Sequence, residues 1–248
     1  MRFQISSIVI ACGLCAAPAA HADWTGKAEL GVLLASGNTE AKSANTKLDL
    51  KHETDKWIHT FFVGALYGEN ASFSTAERYE AKYQADYKIN DRLSWFGALR
   101  AEEDRFSGFA YQATVSTGAS YKFIDNPKTK LQASLGAGYR RLKSEVLVKT
   151  DAGEVIDRIE GETQGDPVVT FSSDYAHNFT ESTKITNKLL VESGSENTAV
   201  QNDLALQVNM TETLALAVGF GVRYNTDPPP LSESTDILTT VNLVYNIK

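Results

Sequence analysis

The sequence predicts an all-β fold: a single antiparallel transmembrane β-barrel of about twelve strands, preceded by a cleaved signal peptide. Three observations predict it. Apolar and polar residues alternate along most of the chain, the connections between alternating segments are in turn short and long, and the N-terminus has the form of an export signal. A period of two turns successive side chains to opposite faces of a strand, whereas a helix, at about 100° per residue, would scatter the same apolar set.

The N-terminal segment, residues 1–22, is predicted to be a secretory signal peptide. A basic start precedes the apolar run Ile5 to Ala17, and Ala20-His21-Ala22 is a small-residue cleavage pattern. Two alternatives are a buried N-terminal helix and a short lipoprotein signal ending at Cys12. The two cysteines of the sequence, Cys12 and Cys15, both lie in this segment. The mature chain is therefore expected to hold no disulfide and no reactive thiol.

The mature chain, residues 23–248, is acidic and is expected to be one domain. Removing residues 1–22 takes one basic residue, Arg2, from the 24 and none of the 31 acidic residues, which leaves a net charge of −8. That balance argues against nucleic acid as a partner. No apolar run of about 18 residues or more follows the signal segment, so no transmembrane helix is expected.

The alternation is clearest in RYEAKYQADYKIN, Arg78 to Asn90, where Tyr79, Tyr83 and Tyr87 share one face and charged residues fill the other. Two predicted strands are less regular: 57–68 is apolar on both faces, and 235–248 has a mixed inner face. The predicted strands cover 24–35, 42–54, 57–68, 77–89, 92–105, 109–123, 129–143, 167–178, 182–193, 198–210, 213–226 and 235–248.

The connections favour a membrane barrel over a soluble one. Tight turns at one end and longer loops at the other are typical of outer-membrane barrels, and these strands exceed the usual five or six residues of soluble sheets. Aromatic residues are predicted to form two girdles, at the short-turn end (Trp24, Trp57, Tyr87, Trp95, Phe123, Tyr245) and at the long-loop end (Tyr67, Phe73, Tyr79, Phe106, Phe109, Tyr111, Tyr139, Tyr224). Tyrosines then face lipid and charges face the lumen. A soluble periplasmic barrel or sandwich is the competing prediction.

Three pieces of sequence carry a family resemblance: Trp24-Thr25-Gly26, the loop Ser36-Gly37-Asn38-Thr39, and the closing VNLVYNIK. With them the chain, over nearly all of 24–248, resembles the YdiY-like family, described as salt-induced outer-membrane proteins with a domain of unknown function. The resemblance implies an outer-membrane barrel and no established activity. The chain departs from the family pattern at its C-terminal end, where Ile247-Lys248 replaces the usual terminal aromatic residue.

No catalytic, cofactor or metal site is expected. The mature histidines, His52, His59 and His177, fall near the short-turn end, where an interfacial position is the simpler interpretation. No hydrolase, zinc-protease or phosphate-loop motif is present. The chain is therefore predicted not to be an enzyme.

Two groups of charges are the candidate functional residues. The loop 144–166 is predicted to be a solvated extracellular hairpin or to bridge lipopolysaccharide phosphates through divalent cations, with the acids Asp151, Glu154, Asp157, Glu160 and Glu162. The lumen is predicted to carry mixed charges: Arg78, Glu80, Lys82, Asp86, Arg100, Glu102, Lys122, Arg140, Lys188 and Arg223.

Two functions remain open at this stage. The first is an envelope-structural or stress-related protein of the cell outer membrane, with a lumen plugged by ion pairs. The second is a narrow channel for ions or small solutes, with the mixed charges as its selectivity surface. Replacing Arg140 by alanine is expected to alter conductance in a channel and mainly stability in a plug. The expected partners are membrane lipid, lipopolysaccharide and the barrel-assembly machinery; no soluble partner is identified.

Overall fold

The computed structural model describes residues 24–35, 41–70, 73–150, 155–230 and 232–248. These residues form twelve strands: β1 (Trp24–Ala35), β2 (Ala41–Glu53), β3 (Trp57–Asn70), β4 (Phe73–Lys88), β5 (Leu93–Asp104), β6 (Phe109–Asp125), β7 (Thr129–Lys149), β8 (Val155–Asn178), β9 (Thr183–Ser193), β10 (Thr198–Asn209), β11 (Leu214–Asn225) and β12 (Thr235–Ile247). The predicted signal peptide lies outside the described residues. No described helix is long and apolar enough to cross a membrane.

The strands form a closed antiparallel barrel in sequence order. Each pairs with its neighbours along the chain, and β12 returns to pair with β1. Closure gives every strand a partner on both sides, as spanning a bilayer with strands requires, although the β1–β12 ladder covers only Gly26–Leu30 of β1. The predicted fold, an all-β barrel of about twelve strands, is confirmed.

The two faces of the wall are chemically opposite, as the alternation predicts. On β4, Tyr79 and Tyr87 are 49% and 40% exposed, whereas Glu80 and Asp86, on the opposite face, are 5% and 3% exposed. The outer surface is a band of exposed leucine, valine and aromatic side chains. Apolar residues outside and polar residues inside are the arrangement of a barrel solvated by lipid.

The predicted hairpin 144–166 is present, but the predicted ends of its strands, 143 and 167, are wrong. Instead, β7 continues to Lys149 and β8 begins at Val155, and their ladder runs from Thr129↔His177 to Lys149↔Val155 with two register shifts. The segments EVLVK and EVIDRI contain enough β-branched residues to extend the hairpin beyond the rim. Arg158 anchors this extension to the neighbouring loop, bonding the carbonyl oxygen of Arg105 at 2.6 Å.

Phe109 does not belong to the outer girdle. Its side chain is 4% exposed, although strict alternation places it on the lipid face with Tyr111. The β6–β7 register shifts between Phe109 and Tyr111. An extra residue in one strand turns the following side chains to the other face, so the bulge moves Phe109 inward.

The inward glycines have two different roles. A Cβ on Gly118 or Gly138 would lie 2.2 or 2.4 Å from a backbone oxygen of the neighbouring strand, so β6 and β7 approach closely there. Gly219 and Gly221 instead line a cavity in the lumen. The first pair allows the sheet to bend, and the second leaves space.

Candidate functional site

A layer of ion pairs begins at Arg100 on β5. Its guanidinium bonds three carboxylates: Nε to Glu80 Oε1 at 3.1 Å, Nη2 to Glu102 Oε2 at 2.6 Å and Nη1 to Glu192 Oε2 at 3.1 Å. Glu192 belongs to β9, four strands from β5 around the barrel. One side chain thus joins neighbouring strands to a distant part of the wall.

A second arginine completes the crossing of the lumen. Arg223 bonds Glu102 through Nη1 at 2.9 Å and Glu80 through Nη2 at 3.3 Å. Its strand, β11, is six strands from β5 in either direction around the barrel. The Arg223–Glu102 pair therefore connects opposite sides of the wall through the middle of the lumen.

Lys82 supplies the third cation. Its Nζ lies 2.9 Å from Glu80 Oε1, 3.4 Å from Gln201 Oε1 and 5.2 Å from the centre of the Phe62 ring. Three cations then face three carboxylates. We call this set the ion-pair layer: Glu80, Lys82, Arg100, Glu102, Glu192 and Arg223.

The ion-pair layer is buried although it lies in a polar lumen. The side chains of Glu80, Glu102 and Glu192 are 4%, 6% and 4% exposed, and that of Arg100 is 11% exposed. Buried charges are tolerated when each is paired and hydrogen-bonded, and removing one partner leaves an uncompensated charge. Because two arginines share Glu80 and Glu102, the layer behaves as one unit rather than as separate pairs.

Cavities lie on both sides of the ion-pair layer. One of about 290 Å³ extends toward the short-turn end, where Ser134, Asp174 and Lys188 line it. Others of about 240 and 30 Å³ lie toward the long-loop end. Glu80 and Arg223 line both of the larger cavities. The layer is therefore the wall that the cavities share.

A further ion pair crosses the lumen closer to the short-turn end. Lys188 Nζ on β9 lies 2.5 Å from Asp49 Oδ2 on β2, five strands away by the shorter path. It is less enclosed than the ion-pair layer, since the Lys188 side chain is 51% exposed. Two levels of the barrel are thus bridged by charges from opposite walls.

Comparison with known proteins places the sequence in a family. The family described as "Protein of unknown function, DUF481" matches residues 28–247. This chain belongs to that family. It is also 28% identical over 230 residues to "Uncharacterized protein YdiY" of Escherichia coli (strain K12), covering 90% of this chain and 82% of that protein. The resemblance to the YdiY-like family is confirmed.

Solved outer-membrane barrels are similar to this DUF481 protein. The NanC porin matches with a TM-score of 0.51 at 11% identity, over 90% of this chain and all (100%) of the porin chain. An outer-membrane channel from Pseudomonas putida F1 matches with a TM-score of 0.49 at 9% identity, over 90% of this chain and 95% of the channel. The likeness to the NanC porin shows an outer-membrane type of barrel and leaves the activity open.

Half of the ten predicted lumen charges belong to the ion-pair layer of this DUF481 barrel: Glu80, Lys82, Arg100, Glu102 and Arg223. Of the rest, Lys188 bridges to Asp49, as described above. Arg78 pairs with Asp104 on the adjacent strand. Asp86 accepts hydrogen bonds from Gln84, Ser94 and Ser120.

The remaining two, Lys122 and Arg140, form no ion pair with the ion-pair layer, which Arg140 touches only through a 3.5 Å hydrogen bond from Nη1 to the backbone oxygen of Glu192. Lys122 pairs with Asp125 at the β6–β7 turn, at 3.4 Å. Arg140 is fully buried, and its Nη2 bonds Asp166 Oδ2 at 3.3 Å and the carbonyl oxygen of Asn197 at 2.8 Å. Arg140 therefore holds the β9–β10 turn against β8, and it is a poor probe of conductance.

The loop acids are dispersed. Asp151 and Glu154 lie outside the described residues. Asp157 and Glu162 are exposed on β8, and Glu160 pairs with Lys143 at 2.5 Å. No group of three histidine, cysteine or acidic side chains is placed to hold a metal ion in the part of the chain that the structure describes.

Some lumen residues were not predicted from the sequence. Glu29, 8% exposed, accepts hydrogen bonds from Lys27 at 2.6 Å and from Asn242 at 2.8 Å, and Asn45 donates to Asn242 at 3.1 Å. Glu29 could have been predicted from the sequence, because the alternation along β1 places it on the lumen face. The two asparagines gave none, because neutral amides do not stand out in a polar face.

The histidines lie among aromatic rings at the short-turn end. His52 stacks on Trp24 with 4.9 Å between ring centroids. His59 lies 2.9 Å from the Tyr83 hydroxyl through Nδ1, and His177 packs edge-on against Phe179. Their surroundings are those of a belt at the edge of the apolar band.

Proposed function

We propose that this DUF481 protein is an integral protein of the cell outer membrane with a lumen closed to solutes, and that its role is envelope-structural. The observation that carries the proposal is the ion-pair layer, in which Arg223 meets Glu102 across the lumen and Arg100 reaches Glu192. Rearranging the layer would strand buried charges, which opposes spontaneous opening.

The location in the outer membrane is part of this proposal. The apolar outer band, the aromatic residues near the strand ends and the predicted signal peptide 1–22 support it. Outer-membrane lipid, lipopolysaccharide and the barrel-assembly machinery are the partners that such a barrel would meet. A stress-related role follows only from the family resemblance. No catalytic role is assigned.

Single-channel conductance of the folded protein in a planar bilayer tests the closed lumen. The wild-type protein should give no reproducible steps. The double variant Arg100→Ala with Arg223→Ala removes the two arginines that fill the lumen, and it should give salt-dependent steps. Lys122→Ala is the matched control, because it removes a lumen-predicted cation outside the ion-pair layer and should stay silent.

Each sample must first show the heat-modifiable gel migration of a folded barrel. Reproducible wild-type steps would overturn the closed lumen and support the second candidate, a narrow channel. The observation that favours a channel is the pair of cavities, of about 290 and 240 Å³, that meet at the ion-pair layer. Cation or anion selectivity in a salt gradient would then report on the residues of the layer.

A further inference from the structure

The seam between β1 and β12 is paired over only part of its length. Its register runs from Gly26↔Ile247 to Leu30↔Leu243, five residue pairs, whereas β1 pairs with β2 over all twelve of its residues. Both strands continue past this point toward the long-loop end, β1 to Ala35 and β12 back to Thr235. Unpaired strand edges in hydrocarbon are unfavourable unless they are buried in protein or line a water-filled cavity.

An amide brace marks the upper end of the paired part. Asn45 on β2 donates to Asn242 on β12 at 3.1 Å, reaching across β1 at Gly31. A Cβ on Gly31 would lie 2.2 Å from Asn45 Oδ1 and 2.3 Å from Asn242 Oδ1, so only glycine leaves room for the brace. Above the brace the described residues of β1 and β12 have no register with each other.

The cavity of about 240 Å³ lies behind this open part of the seam. It is lined from β2 to β4 on one side and by Gly221, Asp236 and Leu238 on the other. No described residue of β1 lines it, although β1 lies between β2 and β12 in the barrel. Leu33, on the lumen-facing parity of β1, is 58% exposed. The upper part of β1 therefore does not cover this cavity, and the gap lies between β1 and β12.

Several apolar residues of the lumen face lie beside this opening. β3 is the strand whose sequence is apolar on both faces, and its inner residues Phe62 and Leu66 line the cavity together with Leu238 of the mixed β12 face. Outside, Val32, Leu34 and Ile237 border the seam with exposures of 60%, 74% and 64%. An apolar path thus runs from the lipid-facing surface to the inner cavity.

We infer that the upper β1–β12 seam is a lateral portal through which one acyl chain of a bilayer lipid enters the cavity. The occupant is a hydrocarbon chain because the portal opens onto the lipid-facing band and the apolar side chains of Phe62, Leu66 and Leu238 line the cavity. A cavity of about 150 Å³ is large enough to hold benzene, so this one, of about 240 Å³, has room for the end of a chain. Eight charged residues also line the cavity, and four of them form two ion pairs, Arg78 with Asp104 and Arg223 with Glu80.

Photolabelling tests the portal. The full-length protein is placed in phosphatidylethanolamine–phosphatidylglycerol vesicles that contain phosphatidylethanolamine with a diazirine at the end of one acyl chain. After irradiation, mass spectrometry should find the lipid on Phe62, Leu66 or Leu238 as well as on the outer Val241. Label confined to outward-facing residues would overturn the inference.

A matched pair of variants tests whether the acyl chain lies in the cavity. Gly221→Leu fills the cavity and should lower the label on Phe62 and Leu66 at least fivefold, whereas Gly97→Leu adds the same side chain where nothing lies within 4 Å. Gly97→Leu should leave the label unchanged. If Gly221→Leu does not fold, Leu66→Asn replaces it; this variant makes the cavity wall polar and should lower the label on Phe62 at least fivefold. An unchanged label in the cavity variant contradicts the inference.

A strand of a second copy is the competing occupant of the seam. Leu33→Cys, in a full-length chain with Cys12→Ser and Cys15→Ser, should remain monomeric under oxidation if a lipid chain fills the portal. A disulfide-linked dimer at high yield would overturn the lipid inference. Conductance measures passage along the barrel axis, whereas photolabelling measures entry through the β1–β12 seam. The closed lumen and the lateral portal can therefore fail independently.

Discussion

Two buried arginines of the inner face, Arg100 and Arg140, have opposite consequences for the lumen. Arg100 reaches carboxylates on β4 and β9 and is part of a layer that crosses the barrel. Arg140, fully buried, bonds Asp166 and the backbone oxygen of Asn197 near its own end of the wall. The two side chains are alike in being buried and positively charged. The distance around the barrel to the partner determines whether an arginine closes the lumen or holds a rim loop.

The largest effect is expected from Arg100→Ala. The variant removes the guanidinium shared by Glu80, Glu102 and Glu192 and leaves buried carboxylates without a partner. The free energy of unfolding should fall by about 3–5 kcal/mol. Urea unfolding of the protein in lipid vesicles measures it. Arg100→Lys keeps the charge without the fork of donors and should lose less; an equal loss would mean that geometry, not charge, holds the layer.

Arg140→Ala should lower the free energy of unfolding by less than Arg100→Ala does. It should also loosen a turn rather than open the lumen. It leaves the Asn197 carbonyl oxygen and the Asp166 carboxylate short of a donor, which costs about 1–3 kcal/mol. Limited proteolysis should become faster at the β9–β10 turn, residues 194–197, while conductance stays silent. New conductance steps in this variant would remove the distinction between the two arginines.

The smallest effect is expected from Gly194→Ala, which tests the Arg140 cluster by crowding. The added Cβ would lie 1.8 Å from Asp166 Oδ2 and 2.8 Å from Arg140 Nη2. Because Asp166 Oδ2 is the end of a side chain and can shift, the cost should be about 1 kcal/mol. Gly97→Ala has nothing within 4 Å and is the control. Similar unfolding midpoints for the two variants would show that the cluster is loosely packed.

The sequence predicted the fold well because one physical rule governs it. A strand in a bilayer must present an apolar face to lipid, so Tyr79 and Glu80 reveal the two faces without any knowledge of their neighbours. The rule failed where a strand gains a residue: the bulge at Phe109 and Tyr111 turns Phe109 inward, and alternation alone cannot see a bulge. It also ended β7 too early and began β8 too late.

The sequence by itself determined the strand pattern, the two faces and the set of charges that point inward. Only the tertiary structure decided which of those charges meet. Arg223 and Glu102 are 121 residues apart in the chain and bond at 2.9 Å because barrel closure puts β11 opposite β5. Likewise, the partial β1–β12 seam depends on how the first strand meets the last. Such pairings are set by register and curvature of the whole sheet, which no single segment of sequence encodes.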